Sequence, residues 1–182
     1  MTTETPDFTS KYSVLIDHPI AQVFPILAHG DSLESVVRLS ALCSGFQLLH
    51  PDTVQLDAFT PLSKSHLRTK PAYQHIPDTL SEGLVLPRQS FSLEETVPIL
   101  FGLTQKKVEI QGTLTWDDDA KVALYETLAG DVETWKLKEF VEVEEDGKVK
   151  TRVTETIEGR CPWWMKSFVQ KVVTKSHRCV LC

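Results

Sequence analysis

Three glutamates stand at strand positions whose neighbours in phase are apolar, and they are the side chains of this sequence best placed to do chemistry. Glu126 falls in step with Val122, Leu124 and Leu128, Glu139 lies between Leu137 and Val141, and Glu155 lies between Val153 and Ile157. A carboxylate on an apolar face is costly unless paired or hydrogen-bonded, and burial raises its pKa. Such a group can orient a ligand hydroxyl or amine, or exchange a proton as a general acid or base. Glu139 and Glu155 are therefore the candidate catalytic pair. Two blander readings stay open: the positions turn to the rim of a curved sheet, or Arg152, Arg160 or Lys138 pairs with them.

Other chemistries find less support. The six histidines (His18, His29, His50, His66, His75 and His177) show no metal-ligand spacing, and the four cysteines lack zinc spacing. No metal or cofactor is expected. No glycine-rich phosphate loop, dinucleotide fingerprint or Ser-His-Asp arrangement is readable. The last four residues, Cys179-Val180-Leu181-Cys182, fit a prenylation pattern at Cys179, with Lys171, Lys175 and Arg178 just upstream. A terminal Cys departs from the usual final residue of that pattern. Ser176, Cys179 and Val180 also continue a helical stripe, which would tie the tail down instead.

The elements that must carry the glutamates are strands. From Lys106 to Ile157 apolar residues alternate four times: Val108 to Trp116, Val122 to Leu128, Trp135 to Val143 and Val149 to Ile157. Asp117-Asp118-Asp119, Ala129-Gly130 and Glu145-Asp146-Gly147 join them, the last as a three-residue turn. With those loop lengths Leu114 faces Val122, Leu124 faces Trp135, Val122 faces Leu137 and Val143 faces Val149, all to one side. Glu155 then faces Leu137 and Glu139 faces Val153, leaving the two acids about 7–8 Å apart as diagonal neighbours. Gly112 falls opposite Leu124, where a missing side chain lets the sheet bend or leaves room for a ligand.

After Pro162 a helical period begins, with Met165, Phe168, Val169, Val172, Val173 and Ser176 as its buried stripe. Upstream, Lys11 to Asp17 reads as a strand. Two short helices follow, the first interrupted by Pro25 and the second capped at Asp31 or Ser32. Phe46–Leu49 and Thr53–Phe59 read as two strands split by His50-Pro51-Asp52, and residues 60–88 read as a long irregular excursion. Ser90 to Val97 alternates again, and Pro98 to Leu103 reads as an apolar loop or a short turn of helix.

The 182 residues suit one domain: a flexible stretch 1–10, a single domain 11–178 and a tail 179–182. The net charge of −6 argues against a nucleic-acid partner. No apolar run is long enough to span a bilayer, and the polar N-terminus lacks the pattern of a secretory signal. A cytoplasmic protein is expected, with membrane contact only through a prenylated tail.

Strand, two short helices, antiparallel strands and one C-terminal helix is the element order of the START-like (SRPBCC) superfamily, which includes birch-pollen-allergen-like proteins and polyketide cyclases. The chain resembles it over roughly residues 11–178. The resemblance rests on that order, on Tyr12-Ser13-Val14 through Pro19-Ile20-Ala21-Gln22-Val23-Phe24, and on Trp135-Lys136-Leu137 through Gly159-Arg160-Cys161-Pro162-Trp163-Trp164. The ending is similar to that of fungal members of unassigned function. The resemblance implies an α+β helix-grip fold, a curved sheet around the C-terminal helix, enclosing a cavity for a hydrophobic small molecule such as a lipid, sterol, terpenoid or polyketide. Ile110, Gly112, Leu124, Glu126, Trp135, Leu137, Val153, Phe168 and Val172 are the expected cavity residues. A container without a clear catalytic pair favours a carrier or binding module; the alternatives are a cyclase, isomerase or dehydratase using the cavity glutamates, and a prenylated peripheral protein.

Overall fold

The hairpin turns decide which side chains share a face. In the computed structural model, which describes residues 5–56, 61–62, 83–99 and 104–176, Asp146 and Gly147 both take positive φ, 55° and 69°. They form the two-residue turn that Asp-Gly favours between strands, with Glu145 opposite Lys148. The expected three-residue turn is thereby corrected, and every pair in this hairpin moves by one residue. Glu155 faces Lys138, Glu139 faces Thr154, and Val143 faces Lys150. A one-residue shift moves a side chain to the other side of the sheet, so Glu139 and Glu155 lie on opposite faces.

The strands are β1 (Phe8–Ile16), β2 (Cys43–Leu56), β3 (Leu84–Ile99), β4 (Thr104–Asp117), β5 (Val122–Ala129), β6 (Val132–Glu145) and β7 (Lys148–Arg160). They form one antiparallel sheet in the order β1-β7-β6-β5-β4-β3-β2. The turn after β4 also differs from expectation. Asp117 accepts backbone N–H bonds from Asp119 and Ala120, each at 2.9 Å, and Lys121 takes φ 54°. That longer turn sets Asp117 opposite Val122, so Leu114 faces Tyr125 and lies across the sheet from Val122. Leu124 faces Leu137, and Trp135 faces Glu126.

Two short helices, α1 (Ile20–Ala28, with Pro25 inside it) and α2 (Leu33–Val37), follow β1, with a 3-10 turn at Gly30–Ser32 between them. Val23, Phe24, Ala28 and Leu33 bury themselves against Phe91, Leu93, Leu114, Ala123, Phe140 and Val153. That cluster defines the helix-bearing face. The opposite face has its own cluster of Leu56, Leu62, Leu86, Leu124 and Trp135. A sheet buried on both sides is why alternation misled the reading of these strands: apolar residues occur in both phases.

Three further expectations change. His50-Pro51-Asp52 does not split β2, because the chain absorbs it as an irregularity in the pairing between Leu48 and Pro51. Leu84–Arg88 belongs to β3, as do Pro98 and Ile99. The rest of the 60–88 excursion beyond Pro61, Leu62 and Gly83, and residues 100–103 of the expected loop, lie outside the described residues. The C-terminal helix, α3 (Lys166–Ser176), follows a 3-10 turn at Trp163–Met165. It docks by Met165, Val169 and Val173 on Phe8, Ile157 and Cys161. The Gln170 side chain accepts from the Thr9 N–H at 3.2 Å and donates to its carbonyl at 2.9 Å. Those bonds hold α3 at the free edge of β1, so Phe168 and Val172 are exposed rather than part of the buried stripe.

Gly112 faces Thr127 and Phe91, not Leu124, and the Phe91 ring fills the space above it. A Cβ there would overlap that ring, so the position supplies no room for a ligand. Gly112→Ala should lower the unfolding free energy by about 1–3 kcal/mol in urea denaturation; an unchanged midpoint would contradict this packing.

Candidate functional site

Reading across the helix-bearing face, one row holds Tyr12, Glu155, Lys138, Ala123 and Trp116 on five successive strands. The next holds Ser10, Ile157, Lys136, Tyr125 and Leu114. Ionisable side chains therefore sit in the middle of a face whose ends are closed by the α1–α2 cluster and by α3. Lys138 reaches α1, where its Nζ donates to the Leu27 carbonyl at 3.4 Å. Lys136 Nζ lies 3.9 Å from Glu155 Oε1 and 5.5 Å from the centre of the Tyr125 ring. Glu155 itself is only 7% exposed.

Burial dominates the electrostatics. It pushes the Lys138 ammonium down to about 8, with Glu155 opposing the shift and Lys136 adding to it. It pushes the Tyr125 phenol upward, helped by Glu95 and Cys43. It raises the Glu95 carboxyl too, against the pull of Lys136. Glu95 belongs to β3 and Lys136 to β6, so their mutual influence reflects the curl of the sheet that brings these strands toward a common interior. Beside the row an apolar groove of about 270 Å³ is lined by Ile16, His18, Gln22, Val23, Ile26 and Leu27. Leu27 thus both walls the groove and accepts from Lys138.

The expected cavity residues divide between the faces. Ile110, Gly112, Val153 and Glu155 lie on the helix-bearing face, Val153 in its buried core. Leu124, Glu126, Trp135, Leu137 and Glu139 lie on the other. There Glu126 is fully buried, and Arg88, 6% exposed, makes a two-pronged ion pair with Asp52. Phe168 and Val172 lie on neither wall, and Cys179 is outside the described residues. Reasoning from sequence missed Lys136, Tyr125, Tyr12 and Glu95, and named Lys138 only as a possible partner of the acids. The signal that reaches Lys138 is the Asp146-Gly147 pair: read as a two-residue turn, it sets Lys138 opposite Glu155. Among the described residues no group of three His, Cys, Asp or Glu side chains is arranged to hold a metal ion.

No family model and no curated protein sequence matches this chain. Solved structures do. A START superfamily protein from Mycobacterium smegmatis shares 8% identity over 93% of this chain and 89% of its own, with a TM-score of 0.52. The Zhui aromatase/cyclase from Streptomyces sp. R1128 shares 9% over 94% and 87%, with a TM-score of 0.53. A norcoclaurine synthase point mutant from Thalictrum flavum, in complex with a transition-state analogue, shares 9% over 94% and 87%, with a TM-score of 0.55. The likeness is one of fold, the helix-grip arrangement of START-like proteins.

Lys138 gives up its proton more readily in the folded chain than in the unfolded one, where its ordinary value is 10.5. Between about pH 8 and 10.5 the unfolded chain holds more protons, so this residue's contribution to stability rises with pH. Below that window its penalty is fully present. Lys138→Met should raise stability at pH 7 by roughly 1–3 kcal/mol and flatten the rise above pH 8. A variant no more stable than the parent, with the same pH slope, would show that the ammonium is solvated.

Proposed function

We propose that this helix-grip chain binds an amphipathic small molecule on the helix-bearing face. Its apolar body lies along the groove of Ile16, Val23, Ile26 and Leu27, and an acidic or carbonyl oxygen accepts from Lys138. The observation that carries this reading is the placement of Lys138, a partly buried ammonium that reaches the Leu27 carbonyl at the wall of the groove. An ammonium has three donors, and the single hydrogen bond of Lys138 among the described residues is a long one to a backbone carbonyl. A charge drawn partly out of water costs stability unless something compensates it. A bound anion or carbonyl would supply that compensation, and lipids, terpenoids and polyketides bearing such a group fit the requirement.

A second reading follows from the same pair of residues. A lysine with a pKa of about 8, directly across from Glu155, is poised to exchange protons near neutral pH. Acid–base chemistry of a cyclase, isomerase or dehydratase would then fall to Lys138 and Glu155, with Glu139 on the far side of the sheet taking no part. The fold's presence in an aromatase/cyclase and a norcoclaurine synthase keeps this second reading in view.

Calorimetric titration with decanoate and with decan-1-ol tests the first reading. Decanoate should bind at least tenfold more tightly than the alcohol, as expected for a charge-assisted hydrogen bond. Lys138→Met should remove that preference, while Glu139→Gln should leave it intact. Equal binding of both probes, or an undiminished preference in Lys138→Met, would overturn it.

A further inference from the structure

Trp163, Trp164 and Phe168, at the start of α3, belong to none of the core clusters formed by the described residues. Trp163 is 83% exposed, Trp164 66%, Phe168 58% and Val172 44%. Trp164, Phe168 and Val172 recur every four residues and form one stripe, adjacent to the stripe of Met165, Val169 and Val173 that docks on Phe8, Ile157 and Cys161. The helix cannot easily roll to bury both. Gln170 is tied to the Thr9 backbone at 2.9 and 3.2 Å. Lys166 Nζ lies 2.6 Å from Asp7 Oδ1, and Asp7 Oδ2 accepts from the Cys161 N–H at 3.1 Å. Two side chains of the helix, Gln170 and Lys166, thus fix which stripe faces inward.

The charge of this segment is as lopsided as its polarity. From Gly159 to Cys182 the sequence has five basic residues (Arg160, Lys166, Lys171, Lys175 and Arg178) and no Asp or Glu. The remainder of the chain carries fourteen Lys and Arg against all twenty-five Asp and Glu. The acidic body would repel an anionic surface, so approach is favoured in the one orientation that presents this end. Lys171 is exposed beside the apolar stripe, whereas Lys166 is paired with Asp7 on the docked side of the helix.

We propose that this end of the molecule docks on an anionic lipid bilayer. Trp163, Trp164 and Phe168 enter the headgroup–acyl boundary, and Lys171, exposed one residue before Val172, meets the lipid phosphates and carboxylates. Paired tryptophans suit that boundary because their rings are apolar with one polar N–H. An exposed apolar stripe with a lysine at its border is the pattern of a helix lying in the interface plane. Neither the ligand reading above nor any lipid on Cys179 is needed for it.

The test is flotation of the full chain, made in bacteria and therefore unprenylated, with phosphatidylcholine vesicles containing 0 or about 30% phosphatidylserine. Binding should require phosphatidylserine, weaken at 0.5 M salt (where screening shortens to a few ångströms) and shift tryptophan emission to the blue. The exposed double substitution Trp163→Ser/Trp164→Ser, checked for an unchanged melting temperature, should reduce partitioning at least tenfold. Lys138→Met should leave it unchanged, which separates this proposal from the ligand site. Absence of binding to the anionic vesicles, equal binding to neutral ones, or an unaffected double variant would overturn the proposal. So would sedimentation showing a stable dimer that the double variant abolishes, because a second copy would then be what covers the stripe.

Discussion

The arrangement of this fold depends on a steric constraint at one turn. Asp146 and Gly147 sit at positive φ, which closes β6 onto β7 with two residues between them. Every other placement on these strands follows from that count. With two turn residues Lys138 faces Glu155 and Phe140 faces Val153, toward the helices. Trp135, Leu137 and Glu139 then face away. With three, the lysines would be on the outer side and the two glutamates on the inner one. The left-handed geometry is easy for Gly and tolerable for Asp, so the sequence at the turn and the pairing of the strands agree.

What the helix-bearing face offers is a short ionic strip inside an apolar frame. Val153, Phe140, Ala123 and Leu114 pack against α1 and α2 at one end. Phe8, Ile157 and Cys161 pack against α3 at the other. Between them lie Lys136, Lys138, Glu155 and Tyr125, whose shifts come first from loss of water where they are resolved. The other face handles burial differently. Arg88 is neutralised by Asp52 in a two-pronged pair and feels Glu126 besides, so its charges are matched within the chain. Lys138 has Glu155 across from it, and its one hydrogen bond among the described residues goes to the backbone carbonyl of Leu27. That contrast is why the functional reading centres on the first face.

Much of the fold was legible from the sequence because it depends on pattern length rather than register. Period-2 runs marked β4 to β7, Pro25 marked a short first helix, and the element order pointed to the helix-grip arrangement before any coordinates. The site was harder to read. Glu145-Asp146-Gly147 is compatible with turns of two or three residues, and only pairing decides between them. The loop after Trp116 gains length from the Asp117 carboxylate, which caps two backbone N–H groups. β6 is also ambiguous within itself. Its odd positions read Trp135, Leu137, Val141 and Val143, whereas the even ones, Lys136, Lys138 and Phe140, are the ones that face the helices. In α3 the apolar residues span two stripes, and the Gln170–Thr9 bonds choose between them across 161 residues of sequence.

The most direct measurement is a nuclear Overhauser map of the β6–β7 hairpin in isotopically labelled protein. Cross-strand contacts are expected to link Lys138 to Glu155, Phe140 to Val153 and Glu139 to Thr154. Contacts linking Leu137 to Glu155 and Glu139 to Val153 would contradict it. They would return both glutamates to one face, remove Lys138 from the site and require the functional reading to be rebuilt on the acids.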